Sequence, residues 1–427
     1  MTGLRNLGYD DLTICYVLGP LVDLTPERAL AALKDVLRSP RGTTLLRLRT
    51  RGRRWKHVDR PTALAASGHA LETVGTVLDR ASLAARVLDT VFESGELPVR
   101  LFVNDGMLAL ALPHSLFDGT GATAVVSLVM EKLGAPGADE IPAVPWAKAP
   151  LRAATKKFGL HGVAGIRSAR QTFRSLTAET ETGYQLSETL TKAQSTERTR
   201  MVSMVLTPDS VRTIALTPEK AVDGRRPARP PLSVKTASLV LRCLRESERE
   251  DVDFRVVVPV DARRWVAKGF DAEGNFSPSV PMGRLLVDDW SATALAERIS
   301  AANKSGVPIA WLLATTLIAL KSAVRHPRAA RRSSEATPRV PFEIHVSLPT
   351  TEVAVTEELM PRVEADTFVG GMPAHRHLPL GVWVEIAPLR DCLHVIVRDE
   401  TDVFDLDGFD RRLHDMIAAT AEARRRP

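Results

Sequence analysis

Residues 97–121 read LPVRLFVNDGMLALALPHSLFDGTG, and this stretch decides how the first part of the chain folds. Two apolar runs, Leu97–Val103 and Met107–Leu112, flank Asn104-Asp105-Gly106. An Asx-Gly pair between two apolar runs is a strong signal for a tight β-hairpin, because its residues tolerate the positive φ angles of that turn. The stretch therefore predicts two antiparallel strands followed by a polar turn.

A histidine and an aspartate lie in that polar turn. His114 comes two residues after the second apolar run, and Asp118-Gly119 comes four residues after His114. An imidazole titrates near neutral pH and can act as a general base. Thr120 can cap the helix predicted to follow, whose apolar residues include Val125 and Val129. The sequence thus predicts an imidazole held at a chain reversal between a strand and a helix.

Strands and helices alternate along most of the chain. Further strands are predicted at Thr13–Gly19, Thr43–Thr50, Met201–Leu206, Phe254–Val260, Phe342–Leu348, Gly381–Ile386 and Cys392–Arg398. Helices are predicted at Glu27–Leu37, Ser82–Glu93, Pro231–Arg245, Ala292–Lys304, Ile309–Ala323 and Asp407–Arg424. This order indicates an α/β chain, an α+β two-layer sandwich built as two similar halves, residues 1–180 and 181–427. A cleft is expected between the halves.

Composition and charge restrict the function classes. The 427 residues carry a net charge of +6 with only 5% aromatic residues, and no basic run is interleaved with Phe or Tyr. Nucleic-acid binding is therefore not expected. No run reaches about 18 apolar residues, so no transmembrane helix is expected. The N-terminal residues MTGLRNLGYDD lack a secretory signal, and three widely spaced cysteines suit buried thiols in the cytoplasm.

Two basic segments leave their roles open. Residues 148–174 contain seven Lys or Arg and no acidic residue. They suit either a membrane or acidic-partner surface or a solvated basic helix connecting the halves, and the broken apolar face favours the connector. Arg47, Arg49, Arg51, Arg53, Arg54 and Lys56 form the second segment. They could contact a CoA phosphate or an acidic carrier protein, or form the solvated face of an edge strand.

Two sequence blocks resemble one enzyme superfamily. His-Ser-Leu-Phe-Asp-Gly at 114–119 resembles the HxxxDG signature of the chloramphenicol-acetyltransferase-like acyltransferases, which include peptide-synthetase condensation domains, polyketide-associated acyltransferases and wax ester synthases. Val258–Arg263, followed by Gly274–Ser277, looks like the P-V-D-x-R … G-N block of condensation-domain and wax-ester-synthase relatives. The ending from Gly381 to Leu406 resembles the final hairpin of the same group, so the resemblance spans nearly the whole chain.

The resemblance implies a pseudo-dimer with a tunnel between the halves and a thioester-dependent acyl transfer. By this resemblance His114 is the general base, whereas Asp118 points away from substrate and pairs with Arg263, with Arg264 as the alternative partner. Gly119 would let a backbone N–H approach the reaction centre or adopt an unusual φ. Asn275, Ser277 and Ser347 are assigned as tunnel or substrate residues.

The co-substrates follow from the same resemblance. We expect no permanently bound cofactor and no metal, with acyl-CoA or a phosphopantetheinyl carrier protein as the thioester donor and a small molecule as the acceptor. No transmembrane segment is expected, although a peripheral membrane contact fits the basic segment. His345 suits a structural histidine better than a tunnel residue, and His375 and His377 suit a polar loop.

Two departures from the family pattern leave the subfamily open. Pro113 stands where condensation domains and wax ester synthases carry a first histidine, and the Asp-Phe-Gly-Trp-Gly motif of the plant BAHD enzymes is absent. The favoured hypothesis is transfer to a hydroxyl, which forms an ester. An amide-forming condensation enzyme with an amine acceptor is the nearest alternative, and a non-catalytic acyltransferase-like binding protein is the third.

Overall fold

The computed structural model describes residues 12–51, 55–74, 80–134, 149–159, 162–177, 200–217, 230–247, 253–265, 277–313, 343–349, 360, 368–375, 381–399, 401 and 403–425. Its strands are β1 (Leu12–Gly19), β2 (Arg47–Arg49), β3 (Trp55–His57), β4 (Leu71–Thr73), β5 (Arg100–Asn104), β6 (Met107–Pro113), β7 (Arg200–Leu206), β8 (Arg255–Pro259), β9 (Ser279–Arg284), β10 (Glu343–Ser347), β11 (Phe368–His375), β12 (Gly381–Leu389) and β13 (Cys392–Asp399). Its helices are α1 (Pro26–Arg38), α2 (Arg60–Ala66), α3 (Arg80–Leu88), α4 (Gly119–Leu133), α5 (Ala149–Phe158), α6 (Gly162–Thr177), α7 (Pro208–Leu216), α8 (Leu232–Glu246), α9 (Ala292–Ser305) and α10 (Phe409–Arg425).

The predicted hairpin lies inside a five-stranded sheet. The strand order is β11-β1-β6-β5-β4, and all neighbours are antiparallel except β4 and β5. At the turn between β5 and β6, Asp105 has φ of +42° and Gly106 has φ of +76°. Positive φ angles at both residues give the turn a twist that matches the twist of the flanking strands, so two residues are enough to connect them. The hairpin prediction is therefore confirmed, and β6 ends at Pro113, immediately before His114.

Side-chain alternation along β6 sends residues to two different cores. Leu108, Leu110 and Leu112 pack into the core shared with α1 and α4. The smaller Ala109 and Ala111 face the opposite side, where α3 packs. A strand buried on both faces has no solvated side, which is why the whole of β6 is apolar. This packing fixes the position at which the chain leaves the sheet and begins the His114 turn.

The second sheet has six strands in the order β7-β13-β12-β10-β8-β9. Strand β10 runs parallel to β8 and β12, whereas the outer pairs are antiparallel. One face carries Ile344, Val384 and Val395 into a core with helices α7 to α10. Burying one such side chain contributes roughly 1.5–3 kcal/mol relative to exposure. The α+β two-layer architecture is thus confirmed for both halves.

The other face of the second sheet packs toward the first half. Ile396 lies in one buried cluster with Cys15 and Phe102, and Trp383 packs against that cluster. In addition, β11 leaves the second half of the sequence and pairs with β1 over eight residue pairs. The two halves are therefore joined by a shared core and by a strand exchanged into the first sheet. The predicted tunnel between them stays a prediction.

Several predicted elements differ from the structure. Thr43–Thr50 was expected to be a strand, but residues 40–45 form a 3₁₀ helix, and only the three residues of β2 are extended, paired with β3. The predicted solvated edge is wrong at Arg49, which is buried. The helix predicted over Ser82–Glu93 ends at Leu88. The carboxylate of Asp118 caps α4, and Thr120 lies inside the helix rather than at its cap.

Some predictions fall outside the described residues. They are the domain boundary at 180/181, the part of the predicted helix Ile309–Ala323 beyond residue 313, and His377. His375, which was also predicted to lie in a polar loop, is instead the last residue of strand β11. The three cysteines are buried and free, as expected. Within the described parts of the chain, none of the helices combines the length and apolar character needed to cross a bilayer.

Candidate active site

The His114 turn is a compact reversal between β6 and α4. The carbonyl of Pro113 accepts hydrogen bonds from the N–H groups of Leu116 and Phe117, at 2.9 and 3.2 Å. The side chains of Leu116 and Phe117 are buried in the core beside α1 and α4. The backbone on both sides of His114 is therefore fixed by the end of a strand and by apolar anchors. His114 itself is half-buried.

Asp118 closes the turn and starts helix α4. Its Oδ1 accepts the N–H of Gly121 at 3.0 Å, and its backbone carbonyl accepts the N–H of Ala122 at 2.8 Å. An aspartate at this position accepts a hydrogen bond from an N–H group of the first helical turn. Its negative charge also interacts favourably with the positive end of the helix dipole. The side chain is only 1% exposed. Asp118 therefore has an architectural role, consistent with the separation of tasks expected from the sequence.

The second half contributes a side chain to the same carboxylate. Ser277 donates its hydroxyl hydrogen to Asp118 Oδ2 at 3.1 Å, across 159 residues of sequence. Ser277 was expected to be a tunnel or substrate residue, but in this structure it contacts Asp118. The expected partner Arg263 lies in a short 3₁₀ helix, Ala262–Trp265, and its side chain is outside the described residues, as is Asn275. The predicted pairing of Asp118 with Arg263 stays a prediction.

Burial lowers the pKa of His114. The apolar surroundings penalise the charged imidazolium, and the positive form of His345 adds to this effect. Hydrogen bonds to the backbone of His114 and Phe117, and the negative charge of Asp118, oppose the shift without reversing it. The imidazole is therefore neutral at pH 7, which is the state that can accept a proton.

His345 approaches His114 from the second sheet. It lies on β10, and its Nε2 is 3.1 Å from Glu343 Oε2. Its ring stacks on Trp383 with the ring centroids 5.0 Å apart. These contacts agree with the structural role expected for His345. Ser347 lies two residues further along the same strand, half-buried at its end.

Gly119 does not use the conformational freedom that was expected of it. It is the first residue of α4, and its φ lies outside the left-handed region. A Cβ at this position would meet none of the described residues within 4 Å. The expectation of an unusual φ is therefore wrong, because the capping by Asp118 places Gly119 in ordinary helical geometry. The approach of its N–H to a reaction centre stays a prediction.

Sequence reasoning missed two groups of contacts around the turn. The indole N–H of Trp55 donates to the hydroxyl of Ser115 at 3.3 Å. Tyr16 and Thr123 share a hydrogen bond of 2.7 Å, and Thr123 donates to the carbonyl of Gly119 at 2.8 Å. The tyrosine hydroxyl in an otherwise apolar strand was the available signal, because a buried hydroxyl requires a partner. Nothing in the local pattern around Trp55 indicates its contact.

The arrangement suits base catalysis rather than covalent catalysis by a thiol. Burial raises the pKa of Cys15 far above its ordinary value, and it raises those of Cys243 and Cys392 to about 11. These thiols therefore stay protonated and unreactive at neutral pH. Among the described residues, no group of three or more His, Cys, Asp or Glu is placed to hold a metal ion. His114 is the group in this turn that can exchange a proton near neutral pH.

Comparisons with known proteins agree with this arrangement at the level of the fold. No family model and no curated protein sequence matches the chain. The chain is similar in structure to the trichothecene 15-O-acetyltransferase of Fusarium sporotrichioides, with a TM-score of 0.57 and 12% identity over 98% of this chain and 94% of that one. It is also similar to polyketide synthase associated protein 5 of Mycobacterium tuberculosis, with a TM-score of 0.52 and 13% identity over 98% and 97% of the two chains.

A third similar structure belongs to a larger protein. The nonribosomal peptide synthetase FmoA3 matches with a TM-score of 0.57 and 13% identity. The match covers 99% of this chain, which spans only 44% of that synthetase chain. At these identities the comparisons establish the fold alone. The chain therefore has the fold of these condensation-domain and acetyltransferase structures, and this agrees with the fold that the sequence resemblance implied.

Proposed function

We propose that this protein is an acyltransferase that moves an acyl group from a thioester to a hydroxyl acceptor, with His114 as the general base. The observation that carries this proposal is the placement of His114. A neutral imidazole is fixed at the end of a buried strand, beside a carboxylate that is already engaged with α4 and Ser277. The fold shared with condensation domains and an O-acetyltransferase supports the same reaction class.

The reaction balances with a single base. The neutral imidazole of His114 takes the proton from the acceptor hydroxyl as its oxygen attacks the thioester carbonyl carbon. The tetrahedral intermediate then collapses, the carbon–sulfur bond breaks, and the thiolate leaves with the proton returned by the imidazolium. A thiolate is a good leaving group, so no covalent enzyme intermediate is required. The products are an ester and a free thiol.

Asp118 supports the base without acting as a second proton carrier. Both of its oxygens accept hydrogen bonds, from the Gly121 N–H and from the Ser277 hydroxyl. A carboxylate engaged in this way is directed into the protein. Its negative charge raises the pKa of His114, although less than burial lowers it. Asp118 thereby stabilises the imidazolium that forms during the reaction while the resting imidazole stays neutral.

We propose a hydroxyl acceptor rather than an amine, because a hydroxyl depends more on a general base for its attack on the thioester. An amine that has lost its proton attacks a thioester without further help, whereas an alcohol gains most from proton removal as it attacks. The donor is either acyl-CoA or an acyl group on the phosphopantetheine of a carrier protein. The fold shared with synthetase- and polyketide-synthase-associated structures supports specialised-metabolite or lipid biosynthesis, and the buried free thiols of Cys15, Cys243 and Cys392 suit the cytoplasm.

The test is a substrate panel with a matched pair of histidine variants. Purified protein is incubated with acyl-CoAs and acyl-carrier thioesters, each combined with alcohols and amines. Released thiol and mass-shifted products are then measured. His114→Ala should lower turnover by about 10²–10⁴-fold, the range expected for loss of a general base. His414→Ala is the control, because His414 is exposed on α10, and it should retain wild-type turnover. Wild-type turnover in His114→Ala would refute the assignment.

A further inference from the structure

The hairpin formed by β2 and β3 contacts the His114 turn through a hydrogen bond. Trp55 is the first residue of β3, and its indole Nε1–H donates to Ser115 Oγ at 3.3 Å. Ser115 immediately follows His114 and is only 3% exposed. The bond therefore joins a separate two-stranded element to the residue next to the proposed base.

Two ring contacts fix the indole of Trp55. The Arg49 guanidinium lies 5.1 Å from the indole ring, and Phe92 meets the indole edge-on with the ring centroids 5.6 Å apart. Arg49 is paired with Trp55 across the hairpin, and its backbone exchanges hydrogen bonds with the segment at Gly95 and Glu96. Cation–π and edge-to-face contacts of this kind restrict ring rotation. The direction of the indole N–H is therefore set before substrate binds.

We propose that Trp55 is a positioning residue for His114, acting through Ser115. This inference rests on the proposed function, since it assigns to Trp55 the task of holding the base in its reactive position. The turn is anchored after His114 by Leu116, Phe117 and Asp118, and on the strand side by Pro113. The Trp55–Ser115 bond adds an anchor directly beside His114, from an element outside the sheet. Small displacements of a catalytic group cost rate even when the fold is intact.

Trp55 could act by packing alone or by positioning the His114 turn through its N–H group, and the two roles predict different effects of substitution. If Trp55 only packs, any aromatic ring at this position should serve. If its N–H positions the turn, then Trp55→Phe should have the same effect as Ser115→Ala, because each removes one partner of one bond. The double variant should then be no worse than either single variant, which is the signature of a shared interaction.

The experiment uses the whole protein and two independent readouts. Trp55→Phe and Ser115→Ala should each lower kcat by about five- to tenfold, the scale of one neutral hydrogen bond, with KM changed less than about twofold. Phe92→Leu removes one of the two contacts that fix the ring but keeps the N–H donor, so its kcat should lie between that of wild type and that of Trp55→Phe. Circular dichroism and thermal melting confirm that each variant is folded.

The second readout needs no substrate. The His114 ring signals, assigned by their loss in His114→Ala, are titrated by NMR. Trp55→Phe and Ser115→Ala should move the titration midpoint of His114 up toward the ordinary histidine value, because a loosened turn admits water to the ring. Phe92→Leu should move the midpoint less than Trp55→Phe does, because the N–H donor is still present. Wild-type titration and wild-type kcat in Trp55→Phe would overturn the positioning role. Shifted titrations in a protein that transfers no acyl group from any donor would instead refute the proposed function alone.

Discussion

Two buried aspartates close turns in this molecule, and they do so in different ways. Asp399 accepts hydrogen bonds from the N–H and hydroxyl of Thr401, at 2.7 and 2.5 Å, and from the N–H of Phe404 at 3.0 Å. All three donors lie within five residues of it. Asp118 has one local donor, Gly121, and a second donor, Ser277, that comes from the other half of the chain. The hydrogen bonds described for Asp399 are local, whereas those described for Asp118 connect the His114 turn to both halves of the chain.

This difference supports the proposal that the Asp118 turn, and not the Asp399 turn, belongs to the functional site. A carboxylate satisfied by its own loop stabilises that loop and nothing else. A carboxylate that accepts a hydrogen bond from the other half couples the position of its own turn to the packing of the two halves. The two aspartates should therefore respond to substitution in opposite ways, one mainly in stability and the other mainly in activity.

The largest effect on stability is expected at Asp399. Asp399→Ala leaves three buried donors without this acceptor, and each such loss costs about 1–3 kcal/mol, so we expect the free energy of unfolding to fall by at least about 3 kcal/mol. Turnover per folded molecule should stay close to wild type, because the donors to Asp399, Thr401 and Phe404, do not belong to the His114 turn. Denaturant unfolding and steady-state kinetics measure the two quantities. A loss below about 1 kcal/mol, or a collapse of turnover in folded protein, would erase the contrast.

Asp118→Ala should show the reverse pattern. Loss of a helix cap costs about 1 kcal/mol of stability, within a range of about 0.5–2 kcal/mol. Turnover should fall by up to about 10²-fold, because a displacement on the order of 1 Å at a catalytic group has that effect. Asp118→Asn is the matched control, since asparagine also caps helices and keeps an acceptor for Gly121. Its turnover should lie between that of wild type and that of Asp118→Ala. Full turnover in Asp118→Ala would show that the turn needs no carboxylate.

Ser277→Ala tests the hydrogen bond that Asp118 receives from the other half of the chain. It removes one of the two hydrogen bonds that Asp118→Ala removes, so it should cost no more stability than Asp118→Ala, about 0.5–1.5 kcal/mol. Turnover should fall severalfold, in the same direction as in Asp118→Ala. In the double variant with Asp118→Ala the effects should be less than additive, since both changes remove the same bond. Strict additivity in turnover would mean that Ser277 acts on substrate instead, as the sequence suggested.

The smallest effect is expected at Gly119. Its ordinary φ and the open space around its Cβ position permit alanine there. Alanine has the higher helix propensity, by up to about 1 kcal/mol in a helix interior, so Gly119→Ala should not lower thermal stability. A clear drop in melting temperature would show that the turn is more crowded than the structure indicates. Loss of turnover at unchanged stability would support close approach of substrate to this backbone.

The sequence predicted those parts of the fold and site that depend on short-range patterns. The Asn104-Asp105-Gly106 turn, the strand before His114 and the two strands β12 and β13 were all visible, because each is encoded within about ten residues. The cap of α4 was placed two residues late, because Thr120 and Asp118 are both good caps and the pattern does not choose between them.

The contacts that join distant parts of the chain could not be predicted. The bond from Ser277 to Asp118 and the bond from Trp55 to Ser115 depend on how the halves and the small hairpin pack. Strand β11, which enters the first sheet from the second half, has the same origin. No local periodicity specifies such contacts, since they arise from tertiary packing. Arg49 illustrates the point, because its alternating pattern predicts exposure while packing against Trp55 buries it.

The pH dependence of kcat/KM in wild type and in His114→Ala tests the central claim most directly. Burial lowers the pKa of His114, and only the neutral ring accepts a proton, so activity should be lost as pH falls through that lowered pKa. We predict a single acid limb with a midpoint below about 6.5, the ordinary histidine value, and a plateau through pH 7. The limb should be absent from the residual rate of His114→Ala. An acid limb that persists unchanged in His114→Ala, or a midpoint above the ordinary value in wild type, would contradict His114 as the buried neutral base.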